Sequence, residues 1–413
     1  MNASIITIGD EILIGQVLDT NSQNIARKLN HLGMKTETII SCSDNETAIV
    51  ESLDFTLKKS DIVFITGGLG PTNDDITKKV LCKFFDTALY LDKDLLEKLT
   101  MRYRKIGVEV TESNKNQALL PKNAKIFTNE IGSAQGMMFE KNDKIIFSLP
   151  GVPAEMIHVF DNEIFPFLKS KYHNNKILHK TLLVVNLPES ILSEKIKACE
   201  NSLPDYLKLA YLPSYGYVKL RLSCYSLDDE KQKILDEKLK ELTEIISEHI
   251  ISEEDVLLED LLGNLLTENH FTLSTAESCT GGALAAKITS VPGSSAYYKG
   301  SIISYANEIK QKFLNVSEED IKKHGAVSQQ VVEQMARYVR QTMQTDFSIA
   351  TSGIAGPSGG TEEKSVGTTW IAIAMKNKVV SKKFQFSSNR ANNILRTVNV
   401  GITSLILELK KLY

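Results

Sequence analysis

Strand, loop and helix alternate in two long runs along this chain, separated by a stretch of different pattern. This predicts an α/β fold, two three-layer α/β domains joined by a small α+β module. At 413 residues the chain exceeds the roughly 250 residues beyond which a single core seldom grows. A hydrophobic share of 42% and a charged share of 24% are those of a globular protein and exclude a disordered or low-complexity chain. The expected boundaries are 1–170, 171–250 and 251–413.

The first run opens with a strand at Ser4 to Ile8, a helix at Thr20 to Leu32 and a strand at Thr36 to Ile40. A helix at Glu46 to Lys58 leads to the strand Ile62 to Thr66, and the glycines after it break the chain before a helix near Asp74 to Phe85. The middle stretch reads as strand Lys180 to Asn186, helix Pro188 to Cys199, two strands ending near Leu212 and Cys224, and a charged helix Asp228 to His249. Acidic Ile251 to Val256 reads as a linker. The second run has strands at Phe271 to Ala276, Gly300 to Tyr305, Phe347 to Thr351, Gly367 to Met375 and Val379 to Phe386, and helices starting near Gly281, Glu318, Ser328 and Ala391. In parallel sheets ligands bind beyond the carboxyl ends of strands, so the loops after Ile8, Ile65 and Phe147 are the places to look.

Charge and cysteine content narrow the function classes. Forty-eight basic against 51 acidic side chains give a net charge of −3, with no field to gather nucleic acid or anionic lipid. The apolar stretches Asp61 to Thr66 and Trp370 to Met375 fall far short of the roughly 20 residues a membrane helix needs. Met1 to Ile14 lacks a basic start and carries Asp10 and Glu11, which argues against a signal peptide. The five cysteines are scattered without a CxxC pair, and the seven histidines lack metal-ligand spacing; both facts fit a cytoplasmic protein without disulfides or zinc.

In the second run, Ala276-Glu277-Ser278-Cys279-Thr280-Gly281-Gly282 lies between an apolar strand and an Ala-rich helix. Such a junction exposes Ser278 and turns backbone N–H groups toward a developing oxyanion, around Thr280, Gly281 and Gly282; taken alone, an ordinary N-cap explains it as well. Gly300 to Lys310 places Tyr305 at a strand end, with Asn307 and Lys310 in the next helix. Ser needs a base, and a desolvated lysine supplies a neutral amine, with Tyr305 as a proton relay. Cys279 is the rival nucleophile. The small residues of Ser352 to Gly360, with Gly353, Ile354, Ala355 and Gly356 at their head, allow close backbone approach to a ligand or form a plain surface loop. Arg390 is a candidate phosphate ligand.

In the first run, Gly9-Asp10-Glu11, Asn21 and the stretch Gly67 to Thr77 recur at strand ends. Glycine turns such as Gly68 and Gly70, with Thr72 and Asn21 beside them, can hold phosphate, and Glu11, Asp74 and Asp75 can hold a divalent cation bridged to it. Asp74 and Asp75 also suit a helix cap.

The segments AESCTGG, the Tyr305-Ala306-Asn307 run with Lys310, His324 to Ser328 (HGAVS) and SGIAGPSGG resemble the C-terminal domain of the CinA family over residues 255 to 413. Its stand-alone relatives are nicotinamide mononucleotide deamidases of the PncC type. The resemblance implies a serine amidohydrolase without a cofactor that releases ammonia and nicotinate mononucleotide, with Ser278, Lys310 and Tyr305 as its catalytic set. Ala306 stands where the family often has Ser. The N-terminal motifs, with Leu149 to Met156 (LPGVPAEM), resemble the molybdopterin-binding-like domain of the same family. That likeness implies a divalent-metal-dependent ADP-ribose pyrophosphatase giving AMP and ribose 5-phosphate, in a homodimer. Gly132 to Gly136 reads GSAQG where the family has Gly-Thr-Ala-Pro-Gly, and Gln135 in place of Pro is expected to loosen this loop.

The alternative is a molybdopterin or nucleotide binding protein whose N-terminal domain does not cleave its ligand. Leu69 counts against it, because binding relatives carry a Thr between these glycines. A DNA-uptake role lacks a basic patch with interleaved aromatics.

Overall fold

The computed structural model describes residues 2–72, 74–172, 177–225, 227–387 and 389–412. Asn73, inside the second glycine motif, lies outside them. The chain forms two compact units, residues 1–178 with 225–229, and residues 179–224 with 230–413.

The first unit contains β1 (Asn2–Ile8), β2 (Lys35–Cys42), β3 (Ile62–Thr66), β4 (Leu89–Leu91), β5 (Leu119–Pro121), β6 (Lys125–Phe127), β7 (Gly136–Lys141) and β8 (Lys144–Leu149). Its main sheet runs β2-β1-β3-β8-β7-β6, and β4 pairs separately with β5. The first four strands of the sheet are parallel, and β7 and β6 reverse direction. The reversal at β7 is a two-residue hairpin, Asn142-Asp143, with φ of 52° and 60°, values that Asn and Asp tolerate in type I′ turns. Alternate residues face opposite sides, as strands require. Ile5, Phe64 and Phe147 pack under the helices Thr20–His31 and Pro153–Val159, while Ile6, Val63 and Ile146 pack under Glu46–Leu57 and Thr77–Phe84. With helices on both faces the central parallel strands β1, β3 and β8 are buried along nearly their whole length, and this is the three-layer form expected.

The expected small module forms its own four-stranded sheet, from β9 (Leu178–Val185), β10 (Leu207–Ser214), β11 (Tyr217–Cys224) and β12 (Ile250–Ser252), in the order β10-β11-β9-β12. The presumed linker therefore begins as an edge strand. Ile251 is the reason: it is buried in one core with Leu183, Val185 and Leu262, where its apolar area is removed from water. That shared core groups the small sheet with the C-terminal domain.

The last sheet holds β13 (Leu273–Glu277), β14 (Tyr298–Ile303), β15 (Phe347–Gly353), β16 (Thr368–Ala374) and β17 (Val379–Gln385), in the order β14-β13-β15-β16-β17. β14, β13 and β15 are parallel, and the other two pair antiparallel. On one face Ala276, Ala350, Ala372 and Ala374 meet Val332, Met335 and Val339 of the helix Gln329–Thr342. On the other, Leu273, Ile349, Ile371 and Ile373 pack with the helices Leu258–Glu268 and Arg390–Lys410. Two boundaries differ from expectation in a way that matters below. β13 ends on Glu277 rather than Ala276, and the following helix starts at Ala283, because Gly281 and Gly282 adopt φ of 59° and 99°. Among the described residues no helix is long and apolar enough to cross a membrane.

The Phe64 and Phe147 rings stack at 4.9 Å in the middle of the first sheet, both fully buried. Phe64→Ala is expected to destabilise the first unit by about 3–5 kcal/mol through lost transfer energy and an unfilled cavity, read as a shift of its urea-unfolding midpoint.

Candidate active sites

In the second unit three parallel strands end level with one another, pairing Glu277 with Ile303 on one side and Thr351 on the other. The residues that follow are therefore neighbours. Ser278 donates its N–H to Thr351 O (3.0 Å), and Ser304 donates its N–H to Glu277 O (2.8 Å). Lys310, one turn into the helix Asn307–Leu314, is only 1% exposed. Its Nζ donates to the carbonyl oxygens of Ser304 (2.7 Å) and Tyr305 (3.2 Å) and makes no hydrogen bond to Ser278. Burial lowers the Lys310 pKa to about 8, since an ammonium loses more than a neutral amine when water is removed.

Tyr305 lies at the mouth of this arrangement, 61% exposed. Arg390 reaches it from the start of the last helix, donating to Tyr305 Oη at 3.0 Å and to Gly356 O at 2.9 Å. One guanidinium thus connects the tyrosine to the glycine loop, two features 51 residues apart (356 − 305) that only the sheet topology brings together. Asn307 lies exposed at the head of its helix. The loop itself is pinned: Ile354 exchanges backbone bonds with Thr368 O and Gly367 N, and Asn393 Nδ2 donates to Ala355 O. Gly353 is the last residue of β15 and pairs with Thr369.

The oxyanion expectation needs correction at two of its three residues. Gly281 donates its N–H to Ser278 O and Gly282 donates its own to the Glu277 carboxylate, so neither amide is available. Thr280 alone of the three has an N–H without an acceptor among the described residues, while its hydroxyl is buried against Thr351 at 2.8 Å. Cys279 points inward, where burial pushes its thiol up to about 12. Glu277, Ser304 and Thr351 are the residues that motif reading missed. A charged residue closing the fully buried strand Leu273–Glu277 was the available signal.

The first unit carries a cleft of about 280 Å³ at the carboxyl ends of β1 and β3, lined by Glu11, Asn21, Asp44, Gly68, Gly70, Asp74 and Asp75 among others. Gly67 and Gly68 have φ of 113° and 64°, and a Cβ on Gly68 would fall 2.1 Å from Thr77 Oγ1, so the turn admits only glycine. The amides of Gly68, Leu69 and Gly70 have no acceptor among the described residues, as a phosphate-binding nest requires. Asn21 Nδ2 spans Thr66 Oγ1 (2.9 Å) and Gly151 O (2.7 Å), tying the LPGVPAEM turn to the cleft. Thr72 does not face a ligand: its N–H and hydroxyl both bind the Asp75 carboxylate.

Among the described residues no three His, Cys, Asp or Glu side chains converge closely enough to cage a metal ion. Glu11, Asp74 and Asp75 line one cleft, but Asp75 is turned onto Thr72. Asp44, which follows β2, joins them unforeseen. Burial raises its pKa, and the neighbouring charges of Asp10, Glu11 and Asp74 raise it further. These are hard oxygen donors beside an anion nest, and such a site fits a small divalent cation that is completed by substrate phosphates rather than by protein alone. The loop at Gln135 is also tighter than expected. Gln135 is buried, accepts from Asn129 N at 2.9 Å and donates to Ser133 O at 3.2 Å, so hydrogen bonds supply the rigidity a proline would have.

Because Cys279 is buried and protonated, it is expected to resist a maleimide in the native protein and to react only after denaturation, with labelling followed by mass spectrometry.

Residues 256–409 match the family model described as "CinA C-terminal domain", and residues 4–170 match "Probable molybdopterin binding domain". A CinA-like protein of Flavobacterium psychrophilum is 45% identical over 416 residues, covering all of both chains, and one of Cytophaga hutchinsonii is 44% identical over 98% of this chain and 97% of its own. The solved competence/damage inducible protein CihA of Agrobacterium tumefaciens is 35% identical over 37% of this chain and 93% of its own, with a TM-score of 0.36. With full-length identity of this order, and with both motif sets seated at the strand ends of their own sheets, the chain belongs to the CinA family.

Proposed function

We propose that the chain is a bifunctional pyridine-nucleotide hydrolase. Its C-terminal domain deamidates nicotinamide mononucleotide, and its N-terminal domain cleaves ADP-ribose. The observation that carries the first activity is the buried Lys310 amine. A neutral amine has two hydrogens, and Nζ has two carbonyl acceptors, Ser304 O and Tyr305 O. Its lone pair is then left to take a proton, and the serine that follows Glu277, whose carbonyl accepts from the Ser304 N–H, supplies the hydroxyl at the same strand ends. The Lys310 amine removes the Ser278 proton as Oγ attacks the carboxamide carbon. The tetrahedral oxyanion meets the Thr280 N–H, and the proton on Lys310 passes to the departing ammonia. Water then attacks the acyl-serine by the same route. Arg390 holds the tyrosine in place and presents charge for the 5′-phosphate beside the Gly353 to Gly356 loop.

In the N-terminal domain the Gly68 to Gly70 amides would hold the pyrophosphate, whose own oxygens would share a divalent cation with carboxylates drawn from Glu11, Asp44 and Asp74. That ion would supply charge neutralisation at the pyrophosphate, which a set of carboxylates cannot do alone. Three successive amides without an acceptor among the described residues are what favour this over a purely structural glycine turn. As the family likeness implies, we take the working form to be a cytoplasmic homodimer.

Because the base must be neutral, deamidation is expected to rise with pH and level off above about 8, the value burial sets for Lys310. Ser278→Ala and Lys310→Arg are both expected to lose at least ~10³-fold in kcat while nicotinamide mononucleotide still binds, as measured by ammonia release and calorimetry. A limb near pH 6, or an active Lys310→Arg, would rule this base out. ADP-ribose cleavage, followed as AMP by chromatography, is expected to stop with a chelator and to fall at least ~10-fold in Asp74→Asn. Deamidation should be untouched by either change.

A further inference from the structure

Glu277 has no solvent exposure, and its side chain is fully engaged. The carboxylate accepts the N–H groups of Gly282 (2.9 Å), Leu284 (3.1 Å) and Ala285 (2.9 Å), and the hydroxyl of Ser301 at 3.3 Å. Burying a carboxylate costs several kcal/mol unless donors surround it, and here the first turn of the helix Ala283–Thr289 supplies them. The same residue's carbonyl accepts from Ser304 N, whose own carbonyl holds Lys310 Nζ. Glu277 is therefore bonded forward to the end of the nucleophile's turn and sideways to the strand end that fixes the amine.

Two consequences follow from this geometry. Between Glu277 and Gly282 the chain must reverse through two left-handed glycines, Gly281 and Gly282, and these two residues have no side chains to hold the shape they adopt. The carboxylate clamps both of its ends. The helix N-terminus is also closed to other anions, because its amides are already taken. Of Thr280, Gly281 and Gly282, Thr280 is the one whose N–H has no acceptor among the described residues, so it is the donor left for an oxyanion formed at Ser278.

We propose that Glu277 is a positioning residue of the deamidase, holding the Ser278 to Gly282 turn so that Oγ faces Lys310 and the Thr280 N–H faces the oxyanion. This inference rests on the serine and lysine roles given above. A group that acts on geometry alone lowers turnover without changing the ionisation of the base or the hold on the substrate's remote phosphate.

The test is Glu277→Gln, which keeps the volume and removes two of the acceptor lone-pair sites. For nicotinamide mononucleotide its kcat is expected to fall by about 30-fold with KM changed by less than about threefold. The rise of rate with pH should stay near 8, as in the parent. Ser278→Ala is assayed alongside. If it is inactive while Glu277→Gln keeps kcat within threefold of the parent, the positioning role is wrong and the serine mechanism stands. If Ser278→Ala is active, the serine mechanism itself fails. A displaced pH profile in Glu277→Gln would make Glu277 part of the proton path and would also overturn the proposal. Should Glu277→Gln fail to fold by circular dichroism, Glu277→Asp applies the same criterion, since the shorter side chain cannot span from Gly282 to Ala285. Loss of kcat at constant KM supports the role, and unchanged kcat overturns it.

Discussion

Three parallel strands that end at one level impose the constraint on which the C-terminal site depends. The hydrogen-bond ladder pairs Glu277 with Ile303 and Thr351, so the next residue on each strand has no choice but to lie beside the others. A serine, the carbonyls that hold a lysine and the start of a glycine loop meet there although 75 residues separate the first from the last (353 − 278). The alanine face of this sheet, Ala276, Ala350, Ala372 and Ala374, lets the helix Gln329–Thr342 pack close beneath. The helix that carries Lys310 packs against this same helix, and Lys310 is fully buried.

The two domains use the same strand-end architecture with opposite electrostatics. The C-terminal site gathers a buried amine, a guanidinium and the Thr280 N–H, and the Glu277 carboxylate beside them is taken up by three amides and the Ser301 hydroxyl. The N-terminal cleft places Asp10, Glu11, Asp44 and Asp74 near one another beside the Gly68 to Gly70 amides, so that burial and mutual repulsion raise the Asp44 pKa. Under the proposed function, an amine that must lose its proton is served by desolvation, whereas anionic phosphate would need both amides and a cation to enter an acidic cleft. Loop stiffness is reached by different means in the two units. Gln135 cross-links its own loop in the first, and in the second the Arg390 guanidinium ties Gly356 to Tyr305.

Much of this was determined by sequence alone. The alternation of short apolar runs with helical segments establishes two α/β domains, because strand and helix periodicities are local properties. The glycines at 67, 68 and 70, Ser278 after a strand and Lys310 within a helix mark the site loops for the same reason: only certain residues tolerate those backbone shapes or supply that chemistry. Tertiary structure alone decided which groups are already spent. Gly282 looks like an oxyanion donor until Glu277 is seen to take its N–H, Thr72 looks like a ligand contact until it closes on Asp75, and Ile251 looks like linker until its burial with Leu183 makes it a strand. Asp44 joined the acidic cleft through the pairing of β2 with β1. A hydrogen bond or a buried contact is a statement about two partners in space, and sequence spacing names only one of them.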